Sequence, residues 1–173
     1  KISFKENNTK FENDRVQWVI NPLDEFALTR AIEIKEALGG KVTVINVGKV
    51  DTEPLIRKAF AIGADDGIRI DAEPTDCYFV ASQLAHYAKQ GEYDFIFTGR
   101  ETTDFEGCQV GGILAEHLAV PFIGGVPKFD FDTTLFICFM ATAEVGCFLK
   151  THQGRPPFIF DCYTEYAKLY KNI

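Results

Sequence analysis

The sequence predicts an α/β fold, in which a parallel sheet carries helices on both of its faces. As far as Val120, short apolar runs alternate with amphipathic segments of about 12–15 residues, which is the pattern of right-handed βαβ units. Beyond Val120, apolar runs follow one another with only turn residues between them, which indicates antiparallel strands. We therefore predict one domain over residues 1–173. It has a Rossmann-like, three-layer core in 1–126 and an antiparallel hairpin and C-terminal extension in 127–173.

The core is predicted to begin with a helix. The apolar run VQWVI ends at Asn21, which suits a helix cap, and Pro22 suits the first helical position. Asp24 and Glu25 then favour the positive end of the helix. Apolar residues recur at helical spacing until a pair of glycines ends the pattern.

Strands and helices alternate through the rest of the core. KVTVINVG predicts a buried strand over 41–47, EPLIRKAFAIGA a helix, DGIRID a short strand, and residues 76–90 another helix. DFIFTG predicts a strand at 94–99, and the next helix covers 109–118. Beyond the core we expect hairpin strands, then an edge strand at 158–162 and a short helix in the tail.

Composition argues against several classes of protein. At 173 residues, with 46% hydrophobic and 13% aromatic residues, the chain is long and apolar enough for one folded domain. The net charge of −7 argues against a nucleic-acid-binding protein, which usually has a basic face. No apolar run reaches the roughly 18–20 residues of a membrane span.

The cysteines and histidines indicate reduced thiols rather than a disulfide framework or a metal centre. The five cysteines are an odd number without CxxC spacing, and the three histidines are scattered. Because this usage is typical of cytosolic proteins, we expect a cytoplasmic location.

Three places are candidates for a binding site, because ligands of open α/β sheets bind outside the carboxyl ends of the strands. Asn21 precedes the first helix, where it is either a ligand contact or a helix cap. Gly48 ends a buried strand, where it permits either a close ligand approach or a tight turn. The third place is the loop in YDFIFTGRETTDFEGCQVGGILAEHL, residues 93–118.

This loop joins the predicted strand at 94–99 to the helix at 109–118. Unpaired amides at a helix N-terminus attract anions, phosphate above all. Gly107 permits close backbone approach, and Gln109 can supply a side-chain hydrogen bond. The loop matches neither GxGxxG nor a Walker motif, so its residues alone predict either a nucleotide site or a structural loop. Cys108 is either a thiol whose pKa the helix start lowers or a small lining residue.

Four segments connect the chain to a known family: INPLDEFALTRAIEIKE, VTVINVG, LIRKAFAIGADDGIRID and FTGRETTDFEGCQVGGILAEHL. In this order and spacing they resemble the β subunit of electron transfer flavoprotein, over roughly Val16 to Pro121. Members of that family have an adenine-nucleotide-binding α/β fold without the dinucleotide glycine fingerprint. By position, the resemblance implies nucleotide contacts at Asn21, Val47, Asp104, Gly107, Cys108, Gln109 and Val110.

The resemblance implies an electron carrier rather than an enzyme. It implies that the chain pairs with an α subunit and binds AMP, or a second FAD in its place. It also implies that the chain helps to position an FAD, shared with the α subunit, that passes electrons from flavin dehydrogenases to an acceptor. In a eukaryote the expected location is the mitochondrial matrix. The alternative is a nucleotide-binding sensor or interaction domain of the universal-stress type, which shares the layered architecture.

The comparison with this family also gives expectations for the two ends of the chain and for a surface that contacts the partner subunit. The family's first buried strand is expected before Lys1, and its dehydrogenase-docking segment has no counterpart in DCYTEYAKLYKNI. Phenylalanines after Phe122 exceed what a small hairpin buries, which predicts an apolar partner surface. They are Phe129, Phe131, Phe136, Phe139 and Phe148.

Overall fold

The computed structural model describes residues 3–12, 16–126, 145–150 and 158–162. The helices in these ranges are α1 (Pro22–Leu38), α2 (Glu53–Ile62), α3 (Cys77–Ala88) and α4 (Val110–Leu118), with a 3-10 turn at Val50–Thr52. The strands are β1 (Phe4–Lys5), β2 (Lys10–Phe11), β3 (Lys41–Val47), β4 (Asp66–Ile70), β5 (Phe95–Gly99), β6 (Phe122–Val126), β7 (Val145–Lys150) and β8 (Phe158–Cys162). None of these helices is long and apolar enough to cross a membrane.

Six of the described strands form one mixed sheet in the order β4-β3-β7-β5-β8-β6, and β1 and β2 form a separate antiparallel pair. β3 is parallel to β4, and β8 is parallel to both β5 and β6. β7 is antiparallel to β3 and to β5, between which it lies, so the sheet is mixed and the prediction of a parallel sheet is wrong at this strand. β3 and β5 therefore run in the same direction in one sheet, as predicted.

Two predictions about the second half of the chain are wrong. β7 is not part of a separate hairpin extension, because it pairs with β3 and β5 inside the main sheet. β8 was predicted as an edge strand but lies between β5 and β6. Its apolar run FIF is typical of an interior strand between parallel neighbours. β6 was not predicted, because two glycines in FIGGV weaken the strand pattern.

Other expectations for this half concern residues outside the described ranges. The tail helix lies there, and so do four of the phenylalanines assigned to a partner surface, namely Phe129, Phe131, Phe136 and Phe139.

The core lies on both faces of the sheet, because alternate residues of a strand point to opposite sides. Buried residues of α1 and α2 pack with one face of β3 and β5, at Val42, Val44, Phe95 and Phe97. Buried residues of α3 and α4 pack with the other face, at Ile45, Val47 and Ile96. The carboxyl ends of β3 and β5 are thereby fixed beside the first turns of the helices.

Candidate functional site

α1 begins beside the loop that follows β5. Asn21 stands at the N-cap and Pro22 at the first helical position, as predicted, but Asn21 makes no side-chain capping hydrogen bond. The side chain of Asn21 reaches the loop instead. Its Nδ2 donates to the Glu101 carbonyl at 3.0 Å, and its Oδ1 accepts from the Thr103 amide at 3.4 Å. Asn21 therefore links the start of α1 to the loop.

Asp24, in the first turn of α1, is a carboxylate that is only 2% exposed. Its Oδ1 accepts a hydrogen bond from the Gly99 amide at 3.1 Å, and its Oδ2 accepts from Asn21 Nδ2 at 3.1 Å. A Cβ at Gly99 would lie 2.9 Å from the backbone nitrogen and from Oδ1 of Asp24. The glycine therefore permits the close approach of α1 to the end of β5.

A cavity of about 150 Å³ lies beside this contact. It is lined by the segment before α1, the first turns of α1 and α2, and the loop after β5. Trp18, the chain's single tryptophan, lines it and donates from Nε1 to Asp51 Oδ2 at 2.8 Å. The lining residues are Gln17, Trp18, Val19, Asn21, Pro22, Asp24, Leu55, Thr102, Thr103 and Asp104. The cavity therefore has an apolar wall and a polar rim.

Val47 and Gly48, at the end of β3, are not among the residues that line this cavity. Val47 is buried against α3 and α4. The Gly48 amide donates to the Ile70 carbonyl at 3.0 Å, and the Gly48 carbonyl accepts from Arg69 at 3.1 Å. A Cβ at Gly48 would lie 2.8 Å from the Thr52 side chain. These contacts are those of a tight turn.

The loop between β5 and α4 has a strained backbone next to unpaired donors. Glu106 and Cys108 have φ angles of 48° and 51°, in the left-handed region that is costly for residues other than glycine. Among the described residues, none accepts a hydrogen bond from the amides of residues 107–110. Gln109, just before α4, makes no side-chain cap. Amides in such alternating backbone form a concave group of donors that suits an anion.

Gly107 and Asp104 have contacts within the protein as well. A Cβ at Gly107 would lie 3.1 Å from Cys77 Sγ, so packing against α3 already favours a glycine there. Asp104 is exposed, and its carboxylate accepts a hydrogen bond from the Phe105 amide at 3.0 Å. Because this carboxylate is engaged by the loop itself, part of its charge is offset before any ligand arrives.

The thiol of Cys108 is not activated by the helix start. Its Sγ donates to Glu101 Oε2 at 3.0 Å. This hydrogen bond, followed by burial and the charge of Glu101, raises the pKa of Cys108 above its usual value. The hypothesis of a lowered pKa is therefore wrong, and the physical reason is the neighbouring carboxylate.

The structure brings some of the predicted site residues together and separates others. Asn21 and Asp104 line the cavity, and residues 107–110 belong to the same loop as Asp104, whereas Val47 and Gly48 lie at a different strand end. Sequence reasoning missed Trp18 as a lining residue, although the run VQWVI ends directly before Asn21. Within the described ranges, no three His, Cys, Asp or Glu side chains are grouped as a metal site.

Comparisons with known proteins identify the family. Residues 9–151 match the sequence model of the electron transfer flavoprotein domain. The electron transfer flavoprotein subunit beta of Bacillus subtilis is 36% identical over 129 residues, which is 72% of this chain and 50% of that protein. The protein FixA of Azotobacter vinelandii is 32% identical, over 66% of this chain and 44% of that protein.

A third relative is named for a similar role. The acryloyl-CoA reductase electron transfer subunit gamma of Anaerotignum propionicum is 34% identical, over 60% of this chain and 41% of that protein. The chain thus spans about half the length of the curated relatives it matches. Since the family match covers most of the sequence, from residue 9 to residue 151, the chain belongs to the electron transfer flavoprotein family.

Proposed function

We propose that this chain is part of an electron-carrying β subunit that binds an adenine nucleotide between β5, α1 and α4. The observation that carries the proposal is the group of amides at residues 107–110. These amides have no acceptor among the described residues, and they belong to the loop whose residues 102–104 line the cavity. Two of the four residues, Cys108 and Gln109, are exposed, and amides without intrahelical partners at the start of a helix are ready donors for an anion.

The two parts of the site suit the two ends of a nucleotide. The amides at the start of α4 are donors for a phosphate, and the helix dipole adds about 0.3–1 kcal/mol in favour of an anion. The apolar wall of the cavity, with Trp18 and Leu55, is suited to an aromatic base. The polar rim, with Thr103 and Asp104, offers hydrogen-bond partners for ribose hydroxyl groups.

The role of the bound nucleotide in electron transfer depends on which nucleotide is bound. The relatives' names describe electron transfer subunits, and in this proposal the described residues perform no bond-making chemistry. An FAD shared with an α subunit carries the electrons, and this chain binds and orients it against flavin dehydrogenases. The nucleotide at the proposed site is AMP, which then has a structural role, or a second FAD, which then carries electrons itself.

Trp18 provides a direct test of nucleotide binding. Because Trp18 lines the cavity, AMP, ADP or FAD bound there should change the tryptophan fluorescence of the full-length protein, and Trp18→Phe should remove that change. We expect Gln109→Ala, which removes a side chain beside the free amides, to weaken binding by about threefold to tenfold. Titration calorimetry on the same samples measures the affinity independently of fluorescence.

The matched control is Gln90→Ala, because Gln90 is an exposed glutamine after α3 that bonds only locally, to the His86 carbonyl. It should leave both measurements unchanged. Equal affinities for wild type and Gln109→Ala would show that the Gln109 side chain does not contribute to nucleotide binding. No binding of any of the three nucleotides by the full-length wild type would overturn the proposed site as a whole.

The electron-carrier assignment has a separate test. The full-length protein purified with its α partner should show the absorbance bands of an oxidised flavin, and a flavin dehydrogenase with its substrate should bleach them. Binding of AMP with no flavin in any preparation would favour the sensor alternative instead.

A further inference from the structure

Asn21 and Asp24 form a small hydrogen-bonded unit, here called the clasp, between α1 and the loop after β5. Asp24 accepts from the Gly99 amide and from Asn21, and Asn21 in turn bonds to the backbone of Glu101 and Thr103. Two side chains at the start of α1 thus hold three backbone positions within residues 99–103. The Asn21 side chain makes no capping hydrogen bond to the helix amides, so its bonds to residues 101 and 103 do not serve to cap the helix.

The burial of Asp24 shows that these contacts are not incidental surface bonds. A carboxylate that is 2% exposed loses its hydration and is retained in a fold when hydrogen bonds replace that hydration. Bonds from backbone amides to an ionised carboxylate are about twice as strong as bonds between neutral groups. Because Gly99 has no Cβ, the carboxylate can lie directly against the end of β5.

Comparison with the neighbouring acid, Glu25, distinguishes the role of Asp24 from a general effect of negative charge at the helix start. Both acids lie in the first turn of α1, where either one favours the positive end of the helix. Glu25, however, forms an ion pair with Lys58 at the surface, and among the described residues it makes no hydrogen bond to the loop. Of these two acids, Asp24 is the one whose carboxylate accepts a hydrogen bond from the backbone at the end of β5.

We propose that Asp24 is a positioning residue, which acts through Asn21 and Gly99 to hold the loop at residues 99–103 in its binding shape before a ligand arrives. This inference rests on the proposed nucleotide site, because the same loop continues into the amides at 107–110. A loop that is held in place in advance binds its ligand with a smaller loss of conformational entropy. The role is distinct from ligand contact, since it exists in the free protein.

Hydrogen exchange in the full-length protein without nucleotide tests the clasp directly. The Asp24 carboxylate has two acceptor oxygens, which face the Gly99 amide and Asn21 Nδ2. In Asp24→Asn one of these oxygens is replaced by an NH₂ group, which cannot accept, so one of the two hydrogen bonds must break. We expect amides in residues 99–103 to exchange about tenfold faster than in wild type, because the loop opens more often. Glu25→Gln, which removes the same charge from the same turn, should leave these rates unchanged.

A second variant covers the case in which Asp24→Asn fails to fold. Asn21→Ala keeps the carboxylate and removes the bonds to the carbonyl of Glu101 and the amide of Thr103, so exchange in 101–103 should still rise. Unchanged exchange in a folded Asp24→Asn or in Asn21→Ala would overturn the clasp, whatever the nucleotide affinity. Faster exchange together with unchanged nucleotide binding would leave the clasp as a structural contact only and overturn its role in positioning.

Discussion

At Cys108, a single neighbour decides the chemistry of the side chain. The residue lies just before α4, where a helix dipole favours a thiolate. The Glu101 carboxylate nevertheless accepts a hydrogen bond from the thiol and repels the negative thiolate, so the pKa of Cys108 is raised. Position in the sequence predicts the dipole effect but not the carboxylate, because Glu101 comes into contact through the folding of the loop.

This arrangement predicts slow alkylation of an exposed thiol. Cys108 should react slowly with iodoacetamide at pH 8, since little of it is thiolate, and Glu101→Gln should speed the reaction by roughly threefold or more by removing the charge. Peptide mapping after timed alkylation measures the alkylation rate of Cys108 separately from those of the other cysteines. Cys77, in the same digest, serves as an internal control whose rate should stay the same. A slower Cys108 in the variant would contradict the assigned cause.

Asn21 shows what residue type alone can predict. Asparagine before a proline at a helix start is typical of a cap, and the position of the helix was predicted correctly from it. Its side chain also bonds to the backbone of Glu101 and Thr103, about 80 positions along the chain. Contacts of this kind depend on which strand ends meet in the fold, and no local pattern contains that information.

Among the elements, Asp65 joins α1, β3 and the turn before β4. Its carboxylate accepts from the Val42 amide at 2.8 Å and from Lys35 Nζ at 2.9 Å. Burial acts to raise the pKa of Asp65, but these two hydrogen bonds and the charge of Lys35 outweigh it and hold the pKa below its usual value. A carboxylate with a depressed pKa stabilises the fold above its unfolded pKa of 3.8, and that stability is lost as the pH falls through the folded value.

Asp65→Asn should therefore destabilise the protein at neutral pH more than at acid pH. Because the side chain is about one third exposed, we expect a modest loss of about 1 kcal/mol in the free energy of unfolding at pH 7. Urea denaturation at pH 7, 5 and 3 measures the difference from wild type, which should persist at pH 5 and shrink towards pH 3. Glu36→Gln, at an exposed site on α1, is the control. A loss of the same size at all three pH values would contradict the electrostatic explanation.

Strongly periodic elements could be predicted from the sequence, and weakly periodic ones could not. α1, α3 and β3 were predicted within a few residues, because apolar spacing and helix-end residues mark them clearly. β6 was missed because two of its five residues are glycines, which weaken the strand pattern. In the candidate site, the loop and its glycines were identified, whereas the cavity beside Trp18 required the three-dimensional meeting of four segments.

At the scale of the whole molecule, local sequence patterns did not predict the order of the strands in the sheet. β7 was expected beside its neighbours in the sequence, and it lies instead between β3 and β5. Its position completes the sheet, because β3 and β5 do not pair with each other and each bonds to one side of β7. Exposed strand edges are avoided in folded proteins, so a strand from far along the chain is placed where it pairs on both sides.

Disulfide trapping tests this position of β7. Val44 of β3 lies directly opposite Cys147 of β7. Opposed residues of antiparallel strands have Cα atoms about 4.5–5.5 Å apart, which falls within the range for a disulfide. Val44→Cys, refolded in an oxidising buffer, should therefore form a bridge to Cys147, which peptide mapping under non-reducing conditions detects. Ile45→Cys is the matched control, because its opposite residue is Gly146, which has no thiol. A folded Val44→Cys protein that forms no bridge to Cys147, or one in which both variants bridge equally, would show that β7 does not lie beside β3 in this register.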